Sequence, residues 1–168
     1  LAGMAELSGL SNLEEIVDSS QQYLRELDST MAAAVTLPGP TGESNQLCYD
    51  GRGLLFAHKP GQGSHCSWLH KLVGALAAGN SLLVTIPEAE KELFRHLEVI
   101  FNRAGMSPDL VMELTPVEQN QCLAYEHLAG VLTQGHHSGL RRALAAREGA
   151  ILPLINTEQT FYLDRLLL

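Results

Sequence analysis

Basic residues are scarce in this chain: 11 Lys and Arg stand against 19 Asp and Glu among 168 residues, a formal net charge of -8. Such a surface repels phosphate backbones, and the few cations form no long run, so nucleic acid is excluded as a partner of this domain. Cysteine is also sparse. Cys48, Cys66 and Cys122 are odd in number and widely spaced, with no C-x-x-C arrangement, so neither a disulfide framework nor a zinc or redox site is expected. A reducing, cytoplasmic setting fits that usage. No stretch approaches the roughly 20 apolar residues of a membrane span, and the opening residues lack the basic start and apolar run of a signal peptide, so no membrane insertion is expected. The sequence opens on Leu1 and closes on Leu166-Leu167-Leu168, which reads as a segment of something longer.

What is present is a hydrophobic content of 45%, enough for one well-buried domain and too little length for two. Ser11 with Glu14 makes a capping box, and Leu13, Ile16, Val17, Leu24 and Leu27 recur at helical spacing to about Asp28. From Thr36 to Gly53 the character changes, and Pro38-Gly39-Pro40-Thr41-Gly42 cannot continue a helix, which suggests a linker or irregular arm.

Beyond Arg52, short apolar runs alternate with amphipathic helices. The runs are Leu54 to Ala57, Leu82 to Ile86, Leu110 to Met112, Gly130 to Thr133 and Ala150 to Ile155. Between them, helices are expected near residues 65 to 78, 88 to 104, 115 to 127 and 138 to 147. Trp68, Leu69, Leu72, Val73 and Leu76 form the first helical stripe; Leu93, Leu97, Ile100 and Phe101 form the second. Thr115-Pro116-Val117-Glu118 supplies a cap, a proline at the first helical position and an acid in the first turn. Pro153 suggests that the last strand lies at an edge or bends. Strands that are apolar on both faces, each followed by a helix, describe an α/β fold: a Rossmann-like parallel sheet of about five strands with helices on both faces, preceded by an N-terminal helix and a Pro/Gly-rich arm. The segment after Asn156, with Phe161-Tyr162-Leu163, breaks the pattern, and its apolar residues are expected to seek a partner outside the chain.

Ligands of open α/β sheets gather at the carboxyl ends of the strands. Two loops there merit inspection. Lys59-Pro60-Gly61-Gln62-Gly63-Ser64-His65-Cys66 holds a G-x-G between strand and helix, but Cys66 stands where a third glycine belongs and no acid closes the second strand at Thr85. A flexible turn is the better reading. The loop Gln134, Gly135, His136 and His137, with Arg141 and Arg142 on the next helix, offers imidazoles and backbone amides to an anion. No G-x-S-x-G elbow or Cys-centred signature is present, Cys66 and His65 are helical neighbours whose side chains diverge, and Cys122 reads as a buried structural thiol. No catalytic, cofactor-binding or metal-ligating residue is therefore assigned.

Residues 72 to 133, taken together, resemble the NAD-binding half of the aldehyde dehydrogenase superfamily: Leu76-Ala77-Ala78-Gly79-Asn80 ends a helix before a strand, Ala104-Gly105-Met106-Ser107-Pro108 follows the next helix, and Leu132-Thr133-Gln134-Gly135 comes later. The departures from that family are specific. Thr85 stands where it carries a ribose-binding lysine, Ile86 replaces the usual proline, its oxyanion asparagine has no counterpart after Lys59, and the catalytic-cysteine half is missing. The arm Leu37-Pro38-Gly39-Pro40-Thr41-Gly42-Glu43-Ser44-Asn45 resembles the segment that opens the C-terminal domain of long proline utilization A (PutA) proteins, in which Gly39, Pro40, Thr41, Gly42, Glu43 and Asn45 would be structural.

That resemblance implies a linker helix over 1 to 36 and a degenerate aldehyde-dehydrogenase-like domain over 37 to 168. It also implies a bacterial, cytoplasmic parent, peripheral at the inner membrane face, with an FAD-dependent proline dehydrogenase and an NAD-dependent glutamate-semialdehyde dehydrogenase, while this piece binds neither FAD nor NAD. The partners would be the catalytic domains of the same polypeptide, on which it would pack to support the cover of a substrate-channelling cavity. The family's glycine- and asparagine-rich tail is not in this chain. The alternatives are a nucleotide- or anion-sensing module using the loop after Thr133, and a homo-oligomerisation module using the apolar end from Phe161 to Leu168.

Overall fold

The computed structural model describes residues 2–31, 33–58, 65–157 and 163–168. The loop Lys59 to Ser64, Phe161 and Tyr162 lie outside them, as do the side chains of Leu13, Ile16, His65 and Cys66. The chain opens with a long helix, α1 (Ala2–Met31), and a hairpin of β1 (Val35–Leu37) and β2 (Asn45–Leu47). Then follow β3 (Leu54–His58), α2 (His65–Ala77), β4 (Ser81–Val84), α3 (Lys91–Arg103), β5 (Val111–Glu113), α4 (Pro116–Cys122), β6 (Leu128–Thr133), α5 (Ser138–Ala145) and β7 (Leu154–Asn156).

The main sheet is entirely parallel, in the order β5-β4-β3-β6-β7. Alternating side chains send each strand into two cores. Leu55, Ala57, Leu82, Val84, Leu132 and Ile155 face α1, α2 and α3, where Trp68, Leu69, Leu72, Phe94 and Leu97 meet them. Phe56 and Val131 face the other way, toward Cys122 of α4 and Leu140 of α5. The doubly covered Rossmann-like sheet is thus as the apolar runs predict. Successive strands add to one side of β3 up to β5 and to its other side from β6 on, and this switch between β3 and β6 creates the crevice where such folds bind ligands.

Besides α1, which runs through Ser11 instead of starting there, four details differ from the sequence expectation. The Pro/Gly arm is an antiparallel hairpin: Val35, Thr36 and Leu37 pair with Leu47, Gln46 and Asn45. Each run is only three residues long, too short for its alternation to show. At the hairpin tip Glu43 N–H donates to Pro40 O (3.1 Å), and Gly42 takes φ 94°, which L side chains avoid. In α3, Phe94 rather than Ile100 joins Leu97 in the core and Ile100 is half exposed, because Phe94, Leu97 and Phe101 centre the stripe about a quarter of a turn from Ile100. The last strand covers only Leu154–Asn156, following Pro153 instead of containing it.

The fourth difference is in the C-terminal apolar run, part of which packs inside the chain while Leu168 stays exposed. Leu163, Leu166 and Leu167 are buried in the first core through a 3-10 turn, Leu163–Leu166. The backbone of Asp50 exchanges hydrogen bonds with Leu168, and Arg52 N–H donates to Leu166 O (3.2 Å). The pivot is Asn80, 1% exposed. Its amide donates to Ala75 O (3.0 Å) and Leu166 O (3.2 Å), and its oxygen accepts from Gly53 N–H (3.1 Å). Gly79, at φ 81°, ends α2 in the left-handed conformation that lets Asn80 turn inward.

Candidate functional site

The carboxyl ends of the strands gather most of the molecule's unusual polar chemistry. β3 ends on His58 and β6 on Thr133, and the two residues are register partners. His58 lies on the same sheet face as Phe56, whose ring centroid is 5.9 Å away. Thr133 lies on the same face as Val131, so His58 and Thr133 stand side by side above the second core.

His137 closes over His58 from the loop that starts α5, with ring centroids 5.4 Å apart and planes at 85°. Gln119 reaches in from α4, its amide 3.3 Å from His58 Nδ1. Burial, and secondarily the positive charge His137 would carry, push the His58 pKa below the ordinary imidazole value. His58 is therefore neutral near pH 7.

The anion loop inferred from sequence takes a definite shape. Gly135 adopts φ 78°, His136 is exposed, and Gln134 is 7% exposed. His137 is the residue before α5, and its Nε2 lies 2.9 Å from Gln134 O, so the ring secures its own loop. Three buried oxygens at this end of the sheet have no hydrogen-bond partner: Thr133 Oγ1, Gln134 Oε1 and Thr157 Oγ1. Buried polar atoms without partners are uncommon enough to require a reason.

A second feature lies at the ends of β4 and β5. A cleft of about 480 Å³ there is bordered by Thr85, Ile86, Glu88, Lys91, Glu113 and Gln119, among others. Lys91 is its only cation among these. The ammonium is 2.9 Å from Glu88 and 4.0 Å from Glu113. The Glu88 hydrogen bond, with the charges of both acids, raises its pKa. Two carboxylates against one ammonium leave the cleft net negative, unfavourable for a phosphate. Thr85, at the position of the expected lysine, contributes no compensating charge.

The fold has counterparts in solved structures. A Bradyrhizobium japonicum variant of proline utilization A is 32% identical over 88% of this chain, with a TM-score of 0.76. Proline utilization A with proline bound in remote sites is 29% identical over 89%, with a TM-score of 0.68. The chain is similar to proline utilization A. It spans only 16% of those PutA chains. The dehydrogenase acting on 3,6-anhydro-L-galactose, solved in complex with NAP, shares the fold at 18% identity and a TM-score of 0.62, over 88% of this chain and 32% of its own. This is an aldehyde-dehydrogenase-like fold related to PutA. No protein-family model and no curated protein matches.

The PutA-like arm residues Gly39, Pro40, Thr41, Gly42, Glu43 and Asn45 all fall in the exposed hairpin and its tip. Asn45 packs its side chain where a Gly39 Cβ would sit, 2.8 Å from Nδ2. The sequence does not single out His58 and Gln119, because the apolar run of the strand ends at Ala57. The only signal available was His58's place as the first polar residue after an apolar run. No described helix is long and apolar enough to cross a membrane.

Proposed function

We propose that this chain is a non-catalytic domain of a PutA protein, packing on the catalytic domains of its own polypeptide and supporting the cover of the cavity through which an intermediate passes. The parent would couple FAD-dependent proline oxidation to NAD-dependent glutamate-semialdehyde oxidation. The observation that carries the reading is the cleft at Thr85: the fold of an NAD-binding domain persists there without the cation the family uses, and its one lysine is held by Glu88 and Glu113. A nucleotide arriving at that cleft meets net negative charge and no ribose-binding ammonium.

Exposed apolar side chains supply the second line of support. Val35, Leu37 and Leu47 share one face of the hairpin, since Val35 pairs with Leu47 and Leu37 lies two residues on. None is buried within this chain, and an isolated two-stranded hairpin is marginal in water. A neighbouring domain of the same polypeptide is the natural cover for that face. Leu163, Leu166 and Leu167 are buried within this chain, which leaves less of the C-terminal run for an oligomerisation module.

Calorimetric titration with NAD, together with an NAD-linked aldehyde assay, tests the reading. The expected outcome is no saturable heat and no turnover; either one would overturn it. Co-purification with the remaining polypeptide supplied as a separate chain tests the packing. Capture should fall in the Leu37→Asp, Leu47→Asp double variant, and capture undiminished by those charges counts against the hairpin as the contact.

A further inference from the structure

The absence of any C-x-x-C pair led to the expectation of no metal site, but residues far apart in sequence meet only in the fold. We propose that His58 and His137 form the protein half of a binding site for a divalent transition-metal ion of the zinc and copper kind, held through His58 Nε2 and His137 Nδ1 and completed by water. The inference is independent of the packing role above.

Geometry carries the argument. Two imidazoles bound tetrahedrally to one ion at about 2.0–2.1 Å place their ring centroids roughly 5 Å apart. The His58 and His137 centroids are 5.4 Å apart with nearly perpendicular planes. An ordinary edge-to-face contact produces the same spacing, so the remaining nitrogens decide between them.

Metal-bound histidines commonly donate their second nitrogen to a carbonyl or carboxylate, which fixes the tautomer and turns the lone pair of the first toward the ion. His137 has that outer partner, and the Gln119 amide stands where His58 needs one. His137 Nε2 is 2.9 Å from Gln134 O, an acceptor that requires the proton on Nε2 and leaves Nδ1 with its lone pair. His58 Nδ1 faces the Gln119 amide at 3.3 Å, and a half-turn of that amide presents its oxygen to an Nδ1–H, freeing Nε2.

The surroundings agree. Thr133, 1% exposed and beside His58 in register, holds a hydroxyl with no partner, suited to a water bound on the ion. The net charge of -8 attracts cations. Among the described residues no group of three or more His, Cys, Asp or Glu side chains converges, so two protein ligands and water define a site of open coordination. Imidazole donors without thiolate or carboxylate select zinc, copper or nickel over magnesium or calcium.

The test is titration of untagged, EDTA-stripped chain with Zn²⁺ by calorimetry, with Mg²⁺ as a control. One equivalent of Zn²⁺ should bind, and affinity should fall by about 10- to 100-fold in Gln119→Leu, which removes only an outer partner. His58→Asn and His137→Asn should each lose at least as much, and His136→Ala should change little. In the unmodified chain, where folding is not at issue, Zn²⁺ should shift the ring NMR signals of His58 and His137 together. Binding no tighter than in a His58→Asn, His137→Asn double variant overturns the proposal. So does equal loss in His136→Ala, or NMR shifts at His136 without His58, since either assigns the ion to the exposed loop.

Discussion

Replacing Asn80 with alanine should loosen the junction where the C-terminal run joins the sheet. The side chain makes three hydrogen bonds, to Gly53 N–H, Ala75 O and Leu166 O. Two of those partners keep another donor after truncation. Asn80 N–H still reaches Ala75 O at 3.2 Å, and Arg52 N–H still reaches Leu166 O at 3.2 Å. Gly53 N–H loses its side-chain acceptor, and stranding a partly buried donor costs about 1–3 kcal/mol, with about 1 kcal/mol more for the two bonds to carbonyls that keep a donor. The sum is roughly 3 kcal/mol, a large part of an ordinary domain's stability. With a urea m-value of about 2 kcal/mol per molar, the unfolding midpoint should drop by about 1.5 M. Hydrogen exchange should quicken first at Arg52 and Leu168, whose amides pair across this junction. Asn80→Asp discriminates further: at neutral pH its carboxylate faces two carbonyl oxygens, so it should be worse than alanine. Those oxygens and burial raise its folded pKa, so its deficit should shrink as pH falls and the protonated carboxyl regains one donor. A midpoint shift under about 0.5 M in Asn80→Ala would refute the reasoning.

Gly51→Ala should be similarly harmful for a steric reason: an added Cβ would lie 2.6 Å from Ala78 O and 2.7 Å from Gly79 C and O, all backbone, and a thermal melt unchanged from wild type would contradict that close approach. Thr115→Ala should cost about 1 kcal/mol in urea unfolding, because Thr115 and Glu118 form a reciprocal capping box at the start of α4. Glu118 should make that helix acid-sensitive: its hydrogen bonds from the Thr115 backbone and hydroxyl hold its pKa below 4.5, so its contribution is present above that value and lost as pH falls through the lower folded pKa. Glu118→Gln should flatten the acid limb of a stability profile, and an unaltered limb would assign it elsewhere. Burial pushes the Cys122 thiol up to about 11 while Cys48 is exposed, so iodoacetamide at pH 8 with peptide mapping should label Cys48 in the folded chain and Cys122 only after denaturation.

The sheet was legible because its strands are apolar on both faces while the helices carry one-sided stripes, and Leu54 to His58 and Leu128 to Thr133 sit inside the expected runs to within two residues. Trp68, Leu69 and Leu72 proved to be the buried centre of α2 for the same reason. Illegible features depended on contacts distant in sequence. The hairpin needs Val35 to meet Leu47, and the burial of Leu166 needs Asn80 and Arg52 from other parts of the chain. The candidate site behaved alike: His137 was visible as part of an unusual loop, whereas His58 became interesting only when β6 and α5 carried His137 over it.

The two ends of the sheet differ in what a substitution there disturbs. Gly53 and Asn80 stand before β3 and β4, at the amino ends, where they tie the sheet to the C-terminal run; replacing either disturbs packing. Thr85 and Glu113 stand at the carboxyl ends, on the open cleft, where an exchange alters charge with little effect on the cores. The features resembling aldehyde dehydrogenases divide along that line: the Gly79-Asn80 turn is kept, and the expected lysine at Thr85 is not. Selection for packing alone would preserve the first set and release the second. The orphaned hydroxyl of Thr133 and the paired rings of His58 and His137 mark the carboxyl end as more than inert surface. It kept buried polar groups whose cost needs a ligand, water or a neighbouring domain to offset it, and each of these is distinguishable by the metal and co-purification experiments.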